Sequence, residues 1–240
     1  MKHALVWVLL LGAVLGLVSC KTTGKPAGEE ALVPFQPSAP LAQLHVEKAA
    51  YPSLFSARSY ALWVGPEVTR QRRDEALAAG ETVLADSDKA AAEIDENFVV
   101  FECHIESVFE DMSIGYDVVG LRGIQMYLET PDGGKVPPAQ VIMGTQLEEK
   151  PQGALKIFRR TNLAVFPKKD LNLMASLSKE KTPSVRLVLD GYNSKFCFEW
   201  FANLPTGAPQ PLISPELRQA VKMKYNEYYG KLQEFGHRFD

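Results

Sequence analysis

The stretch VVFECHIESVF, residues 99–109, decides the fold class because its hydrophobicity changes with every second residue. Side chains of a β-strand point alternately to opposite faces, so a period of two predicts a strand. The face opposite the core carries Glu102, His104 and Glu106. The other face is apolar apart from Ser107, and its apolar members are Val99, Phe101, Cys103, Ile105 and Phe109. We therefore predict a strand with one face buried and a solvated polar face.

Further strand signals follow this stretch. Alternation returns at Ile124, Met126 and Leu128, and the turn motif Pro131-Asp132-Gly133-Gly134 comes directly after it. More strand-like stretches lie at residues 155–158, 162–166, 185–189 and 195–201. Several short strands separated by turns are typical of an antiparallel sandwich or barrel. The fold class predicted is mainly β: an antiparallel Ig-like sandwich over residues 97–204, with a helical N-terminal segment and a C-terminal helix.

The segment before the sandwich, residues 41–96, is predicted to be helical or irregular and to pack on the β domain. Residues 67–79 are rich in good helix formers, and Gly80 is a suitable helix stop. This helix carries a basic cluster of Arg70, Arg72 and Arg73. We interpret the cluster as a solvated helix face; the alternative is contact with anionic lipid headgroups.

The final segment, residues 205–240, has the signals of a C-terminal helix. Ser214 is a suitable N-cap, and Pro215 fits the first helical position. An apolar stripe at helical spacing follows, made by Leu217, Val221, Tyr225, Tyr228 and Leu232. The stripe predicts a helix that docks on its own domain, and a partner protein is the alternative.

The first twenty residues carry the features of a bacterial export signal. Lys2 supplies a positive charge, and residues 4–18 contain no polar or charged side chain. An apolar run of this length suits a signal peptide but falls short of the roughly twenty residues of a spanning helix. The run ends in Leu17-Val18-Ser19-Cys20, which resembles the lipobox of bacterial lipoprotein precursors. Every position of that pattern is matched.

The resemblance implies cleavage after Ser19 and a diacylglyceryl thioether (palmitate or similar chains) on Cys20, the lipid attachment residue. The membrane would then be a partner through this anchor, because two or more acyl chains hold a protein firmly to a bilayer. Residues 20–40 read as a lipidated tether rich in proline and glycine. By the same resemblance, Lys21 rather than Asp after the cysteine favours the outer membrane, on its periplasmic or surface face, over the inner one.

Composition argues against several classes of function. The formal net charge of −3 becomes −4 when Lys2 leaves with residues 1–19, which is too mild to indicate nucleic acid as a partner. No phosphate loop, zinc-protease helix or nucleophile elbow occurs in the chain. We expect no cofactor and a non-enzymatic cell-envelope lipoprotein: a β-rich binding or scaffolding module for an envelope protein or a glycan.

Two alternatives to this expectation remain open. Glu102, His104 and Glu106 share one strand face, where carboxylates and imidazole are able to ligate a divalent cation. An envelope metal-dependent hydrolase using these three residues is therefore one alternative. The other is a capture module for an apolar ligand, lined by Phe98, Tyr127, Phe158 and Phe166.

The two remaining cysteines, Cys103 and Cys197, are a possible disulfide in an oxidising compartment. Cys103 lies on the apolar face of its strand. Cys197 shares the more polar face of residues 195–201 with Lys195 and Glu199. A bridge between sheets needs both thiols to point inward, so the pattern argues against the pairing.

Overall fold

The computed structural model describes residues 35–50, 54–83, 85–169, 171, 184–202 and 224–236. The side chains of residues 85–87 and 233–236 are outside that description. The signal segment, Cys20, residues 20–34 of the tether and the N-terminal part of the C-terminal segment, with Ser214, Leu217 and Val221, also lie outside the described residues. Predictions made for them stay predictions.

Within the described ranges the chain forms ten strands and four helices. In chain order they are β1 (Leu41–Gln43), β2 (His45–Lys48), β3 (Tyr60–Val64), α1 (Pro66–Ala78), α2 (Ala85–Asn97), β4 (Phe98–Phe109), α3 (Met112–Val119), β5 (Gln125–Glu129), β6 (Lys135–Val136), β7 (Gln140–Gln152), β8 (Leu155–Pro167), β9 (Ser184–Gly191), β10 (Ser194–Phe201) and α4 (Tyr225–Gly236).

The strands form two antiparallel sheets, so the prediction of a mainly β, antiparallel protein is confirmed. The first sheet has the order β1-β3-β4-β8-β7, and the second has the order β2-β10-β9-β5-β6. Strand β4 lies at the centre of the first sheet and pairs with β8 along its whole length, from Phe98 opposite Pro167 to Phe109 opposite Lys156.

One apolar cluster contains residues of both sheets, which therefore face each other across a shared core. The apolar face of β4 points into it: Phe101 and Ile105 are fully buried. Trp200 of β10 meets Phe101 at a ring-centroid distance of 4.7 Å, and its indole Nε1 donates to the carbonyl of Pro40 at 2.9 Å. Burying a large apolar side chain contributes roughly 1.5–3 kcal/mol, so this core is the main source of stability.

Helices cover the opposite face of the first sheet, and this corrects the prediction of a solvated polar face on β4. Glu102, His104 and Glu106 are only 0%, 6% and 3% exposed. A second apolar cluster joins Val100 of β4 to Tyr228 and to other residues of α1, α2 and α4. The shielding helix α4 is far away in sequence, so the alternation within β4 carries no sign of it.

The segment 41–96 is not purely helical or irregular, because it contains β1, β2 and β3 before the two helices. These strands are three to five residues long, too short for a period of two to stand out. Their partners also come from distant parts of the chain: β3 pairs with β4, and β2 pairs with β10. The helix predicted over 67–79 is present as α1.

Both ends of the described domain dock on it. Phe35 is buried, Pro37 bridges to Ala202, and the amide of Ser38 donates to the carbonyl of Phe201 at 2.7 Å. Residues 35–40 are therefore part of the domain rather than tether, a correction to the predicted boundary. At the other end Tyr225, Tyr228 and Leu232 are buried on the first sheet and its helices, as the docking prediction required.

No helix in the described ranges combines the length and the apolarity needed to cross a bilayer.

Candidate functional site

The three polar residues of β4 were the first candidates for a metal site, and each has its own partner in the structure. Glu102 pairs with Arg72 of α1, whose Nη2 lies 2.5 Å from Glu102 Oε2, and the two side chains are 1% and 2% exposed. The Arg72 guanidinium also lies over the Tyr228 ring, 5.1 Å from its centroid. Arg72 is thus buried, so the basic cluster of α1 is not a wholly solvated face. Its neighbour Arg73 is half-buried and pairs with Asp88 at 3.0 Å.

His104 and Glu106 are engaged elsewhere. His104 stacks on Tyr60 with ring centroids 4.8 Å apart, and its Nδ1 lies 3.2 Å from Thr161 Oγ1. Arg159 Nε donates to Glu106 Oε2 at 2.6 Å. Burial opposes ionisation of Glu106, but hydrogen bonds from Arg159 and Ser56 outweigh it and lower the pKa of this carboxyl.

Convergence on one ion requires ligand atoms that lie close together. Among the residues described, the one group of three or more His, Cys, Asp or Glu side chains with ligand atoms within 4.8 Å of one another is His45, Glu47 and Cys197. Glu102, His104 and Glu106 do not form such a group. The hydrolase alternative built on them therefore loses its geometric basis.

We call His45, Glu47 and Cys197 the β2–β10 cluster, after the strands that carry it. His45 and Glu47 are two residues apart on β2, an edge strand of the second sheet, so their side chains share a face. Antiparallel pairing sets Cys197 of β10 directly opposite His45. That face is the outer one, because Cys197 packs with Tyr127 and Val188 in a small cluster separate from the core between the sheets.

The contacts within the β2–β10 cluster centre on the thiol. Cys197 Sγ lies 2.5 Å from His45 Nε2 and 3.4 Å from His45 Nδ1. The same sulfur lies 3.9 Å from Glu47 Oε1. Cys197 is fully buried and His45 is exposed, whereas the side chain of Glu47 is only 26% exposed. The group therefore has a buried floor and an open side.

Charged side chains surround this group. Arg186 contacts Glu47, lies 2.5 Å from Glu129 Oε2 and approaches Cys197 Sγ to 3.5 Å. Lys195 Nζ lies 3.0 Å from Glu47 Oε2 and 2.6 Å from Glu129 Oε1. A surface cavity of about 440 Å³ opens beside the cluster, and Glu199 also lines it. Acidic groups therefore outnumber the cations here.

The two cysteines in the described ranges, Cys103 and Cys197, are both free thiols, so the possible disulfide between them is not formed. Cys103 lies in the core between the sheets, and Cys197 lies on the outer face of the second sheet. Burial raises the pKa of Cys103, with a further contribution from nearby Glu102. Burial also raises the pKa of Cys197, against the opposing effect of Arg186. Buried thiols of raised pKa are poor nucleophiles, so neither is suited to covalent catalysis.

An apolar crevice of about 380 Å³ lies where the chain enters the domain. Its walls include Phe35, Trp63 and Phe98, with Asp95 among the polar members. Burial raises the pKa of Asp95 to about 6, against the opposing charge of Lys168. Of the four aromatic residues predicted to line an apolar site, Phe98 alone is found here. Phe158 and Phe166 belong to the inter-sheet core, and Tyr127 lies on the outer face of the second sheet.

Sequence reasoning missed the β2–β10 cluster. The signal available was His45-x-Glu47, a period of two within only four residues, together with Cys197 on the polar side of its strand. The register that joins them links residues 152 positions apart, and no local pattern encodes that pairing.

Comparisons were made with protein-family models, with curated proteins and with solved structures. None of the three gave a match to this chain.

Proposed function

We propose that this chain is a non-enzymatic cell-envelope lipoprotein, anchored through Cys20, whose folded β domain is a binding or scaffolding module. The observation that carries the proposal is the sequence Leu17-Val18-Ser19-Cys20 at the end of a charged and apolar export segment. The resemblance to the lipobox assigns the acyl chains to Cys20. Each methylene buried in a bilayer contributes about 0.8 kcal/mol, so a multiply acylated cysteine is a stable anchor.

The architecture is consistent with a domain held at a distance from the bilayer. Residues 21–34 connect the anchor to Phe35, the first described residue, and a chain of this length reaches at most about 50 Å. Backbone contacts of Pro37 and Ser38 with the end of β10 then fix the connection to the domain. Lys21 supports sorting to the outer membrane as part of the same proposal.

Strand β7 supports a binding role. It is thirteen residues long and pairs with β8 on one side, and no strand of the described ranges pairs with its other side. An open strand edge presents unpaired amide and carbonyl groups to which an extended segment of another protein is able to add. Lys150 and Pro151 discourage addition over the second half, and a register shift against β8 between Met143 and Leu147 interrupts the strand before it. Residues 140–143 are therefore the regular part of the open edge. We also propose that the two sheets have an Ig-like arrangement. The support for it is that both sheets are antiparallel and share one core.

The anchor is tested by fractionating cells that produce the full-length chain. We expect the wild-type protein and a Cys197→Ala control in the outer-membrane fraction, and the Cys20→Ala variant absent from that fraction. A Lys21→Asp variant is expected to move to the inner membrane. Recovery of Cys20→Ala in the outer-membrane fraction at the wild-type level would overturn the proposal.

The binding role is tested by crosslinking in intact cells. Met143 on β7 and Val46 on β2 are matched exposed apolar residues on edge strands, with exposures of 54% and 52%. If β7 recruits an envelope protein, Met143→Lys lowers the yield of the crosslinked species several-fold and Val46→Lys does not. A crosslinking pattern unaffected by Met143→Lys, or none above that of an unrelated anchored domain, argues against the edge as the binding surface.

The crevice around Trp63 favours a second candidate function, the capture of an apolar ligand. The aromatic walls and the internal volume of about 380 Å³ are the specific observations for it. Titration with a fluorescent fatty acid tests the idea, because binding in the crevice would be lost in a Phe98→Ser variant. Binding that Phe98→Ser leaves unchanged would place the ligand elsewhere.

A further inference from the structure

We propose that the β2–β10 cluster, His45, Glu47 and Cys197, is a zinc site on the outer face of the second sheet. It is independent of the lipid anchor and of the β7 edge.

The donor set selects the metal. The cluster offers an imidazole nitrogen, a carboxylate oxygen and a thiol sulfur within 4.8 Å of one another. All three atom types are ordinary ligands of Zn²⁺, and the thiolate discriminates against Ca²⁺ and Mg²⁺, which prefer oxygen alone. The metal takes the thiolate form of Cys197, and the thiol proton passes to solvent.

Two of the three separations measured from the thiol are close to those of tetrahedral coordination, and the shortest one is not. Bonds of about 2.3 Å to sulfur and about 2.0–2.2 Å to nitrogen or oxygen place the ligand atoms roughly 3.5 Å apart. Cys197 Sγ lies 3.4 Å from His45 Nδ1 and 3.9 Å from Glu47 Oε1, on either side of that value. His45 Nε2 is closer, at 2.5 Å, so the ring turns outward when the ion enters. The exposed position of His45 permits this rotation.

Two paired strands hold the ligands. The register that sets Cys197 opposite His45 is part of the second sheet, so the sulfur and the imidazole need no loop closure to meet. Because His45 is exposed above a buried thiol, the cluster is reachable from solvent on the His45 side. Three protein ligands leave one of the four zinc positions to water, in contrast to the closed four-ligand set of structural zinc sites.

The neighbouring cations do not prevent occupancy. Arg186 and Lys195 both contact Glu47, but both also contact Glu129, at 2.5 and 2.6 Å. When Glu47 turns to the ion, Glu129 still provides each cation with a carboxylate partner.

The test uses the full-length processed lipoprotein, purified in detergent without a histidine tag and stripped of metal with a chelator. Zn²⁺ is titrated by calorimetry, and Co²⁺ is titrated by absorption spectroscopy. We expect one Zn²⁺ per chain, and for Co²⁺ a thiolate-to-metal charge-transfer band together with the visible bands of a tetrahedral ion. Zinc is also expected to raise the Tm of the wild-type chain, because it binds the folded state.

Variants locate the ion. His45→Gln and Cys197→Ser are each expected to weaken zinc binding at least tenfold, and Cys197→Ser also loses the charge-transfer band. Val46→Thr is the control on the same strand, because its side chain points to the opposite face, and Cys103→Ala is the control for the other thiol. His45→Gln changes an exposed side chain, so its folding is expected to be intact. An absence of stoichiometric binding, or an affinity that His45→Gln leaves unchanged, would overturn the proposal.

Discussion

Arg72 of α1 and Glu102 of β4 form an ion pair enclosed between helix and sheet, with side chains 2% and 1% exposed. Within the part of the chain that the structure describes, Arg72 Nε, Arg72 Nη1 and Glu102 Oε1 are buried without a further hydrogen-bond partner. The desolvation of both charges is therefore compensated chiefly by their mutual contact and by the Tyr228 ring. Such a pair fixes where α1 sits on the first sheet, and the loss of one partner leaves the other charge buried and uncompensated.

We expect Glu102→Gln to destabilise the fold by about 3–5 kcal/mol, the usual cost of removing one partner of a buried ion pair. Urea unfolding of the full-length protein measures the change. Glu93→Gln is the matched control, because Glu93 pairs with Lys89 on the surface, where the side chains are 65% and 79% exposed, and we expect about 0.5 kcal/mol or less there. Equal effects of the two substitutions would contradict the structural role of the enclosed pair.

Two glycines are expected to respond in opposite directions to alanine. Gly144 lies where β7 shifts register against β8, and a Cβ there would overlap the Thr161 carbonyl oxygen. Gly144→Ala is expected to cost about 1–3 kcal/mol as the strands move apart. Gly230 lies inside α4, and the position that a Cβ would take there is open space, so Gly230→Ala is expected to stabilise by about 0.5–1 kcal/mol. Thermal unfolding of both variants gives the sign of each change in stability. Changes of the same sign would contradict the different surroundings described for the two glycines.

The substitution Asp95→Asn is expected to change the stability of the fold in a pH-dependent way. Burial raises the pKa of this carboxyl from 3.8 to about 6, so the folded state disfavours its charged form. The resulting loss of folding stability is absent below the pKa of the unfolded chain, develops as pH rises and is complete above about pH 6. The half-buried position reduces the effect to about 1 kcal/mol at neutral pH. Asp95→Asn should therefore raise the Tm at pH 7.5 and leave it nearly unchanged at pH 3.5; a gain that grows on acidification would have the wrong sign.

The free cysteines predict a thiol count. With Cys20 acylated, the processed chain should expose two thiols to a thiol reagent in denaturant, those of Cys103 and Cys197. The same thiols should react slowly in the folded protein, where both are buried. Disulfides need Cα atoms within about 7 Å and side chains directed at each other, and these two cysteines lie on different sheets, with Cys197 on an outer face. Titration of protein prepared without reductant makes the measurement. A count of zero would show that the two are bridged.

The sequence was sufficient to predict the face of β4 that points into the core between the sheets. Phe101 and Ile105 share a period of two with their neighbours, and that local pattern is what the core between the sheets requires. The burial of the opposite face was not predictable. Glu102 pairs there with Arg72, whose guanidinium lies over the Tyr228 ring, and both residues come from helices that pack on the sheet.

The metal site that the sequence suggested on β4 does not form, for a related reason. A spacing of two places Glu102, His104 and Glu106 on one face, but it does not show that Arg72, Tyr60 and Arg159 engage them separately. The β2–β10 cluster depends instead on the register between an edge strand of four residues and β10, 152 positions away. Such long-range pairing is determined by the whole fold and not by either segment alone.

The attachment of lipid to Cys20 is tested most directly by mass spectrometry of the protein extracted from membranes. The proposal predicts that the N-terminal peptide begins at Cys20 and carries a diacylglyceryl group on sulfur, with a further acyl chain on the new amino group. A peptide in which residue 20 is unmodified, or one that still contains residues 2–19, would contradict it.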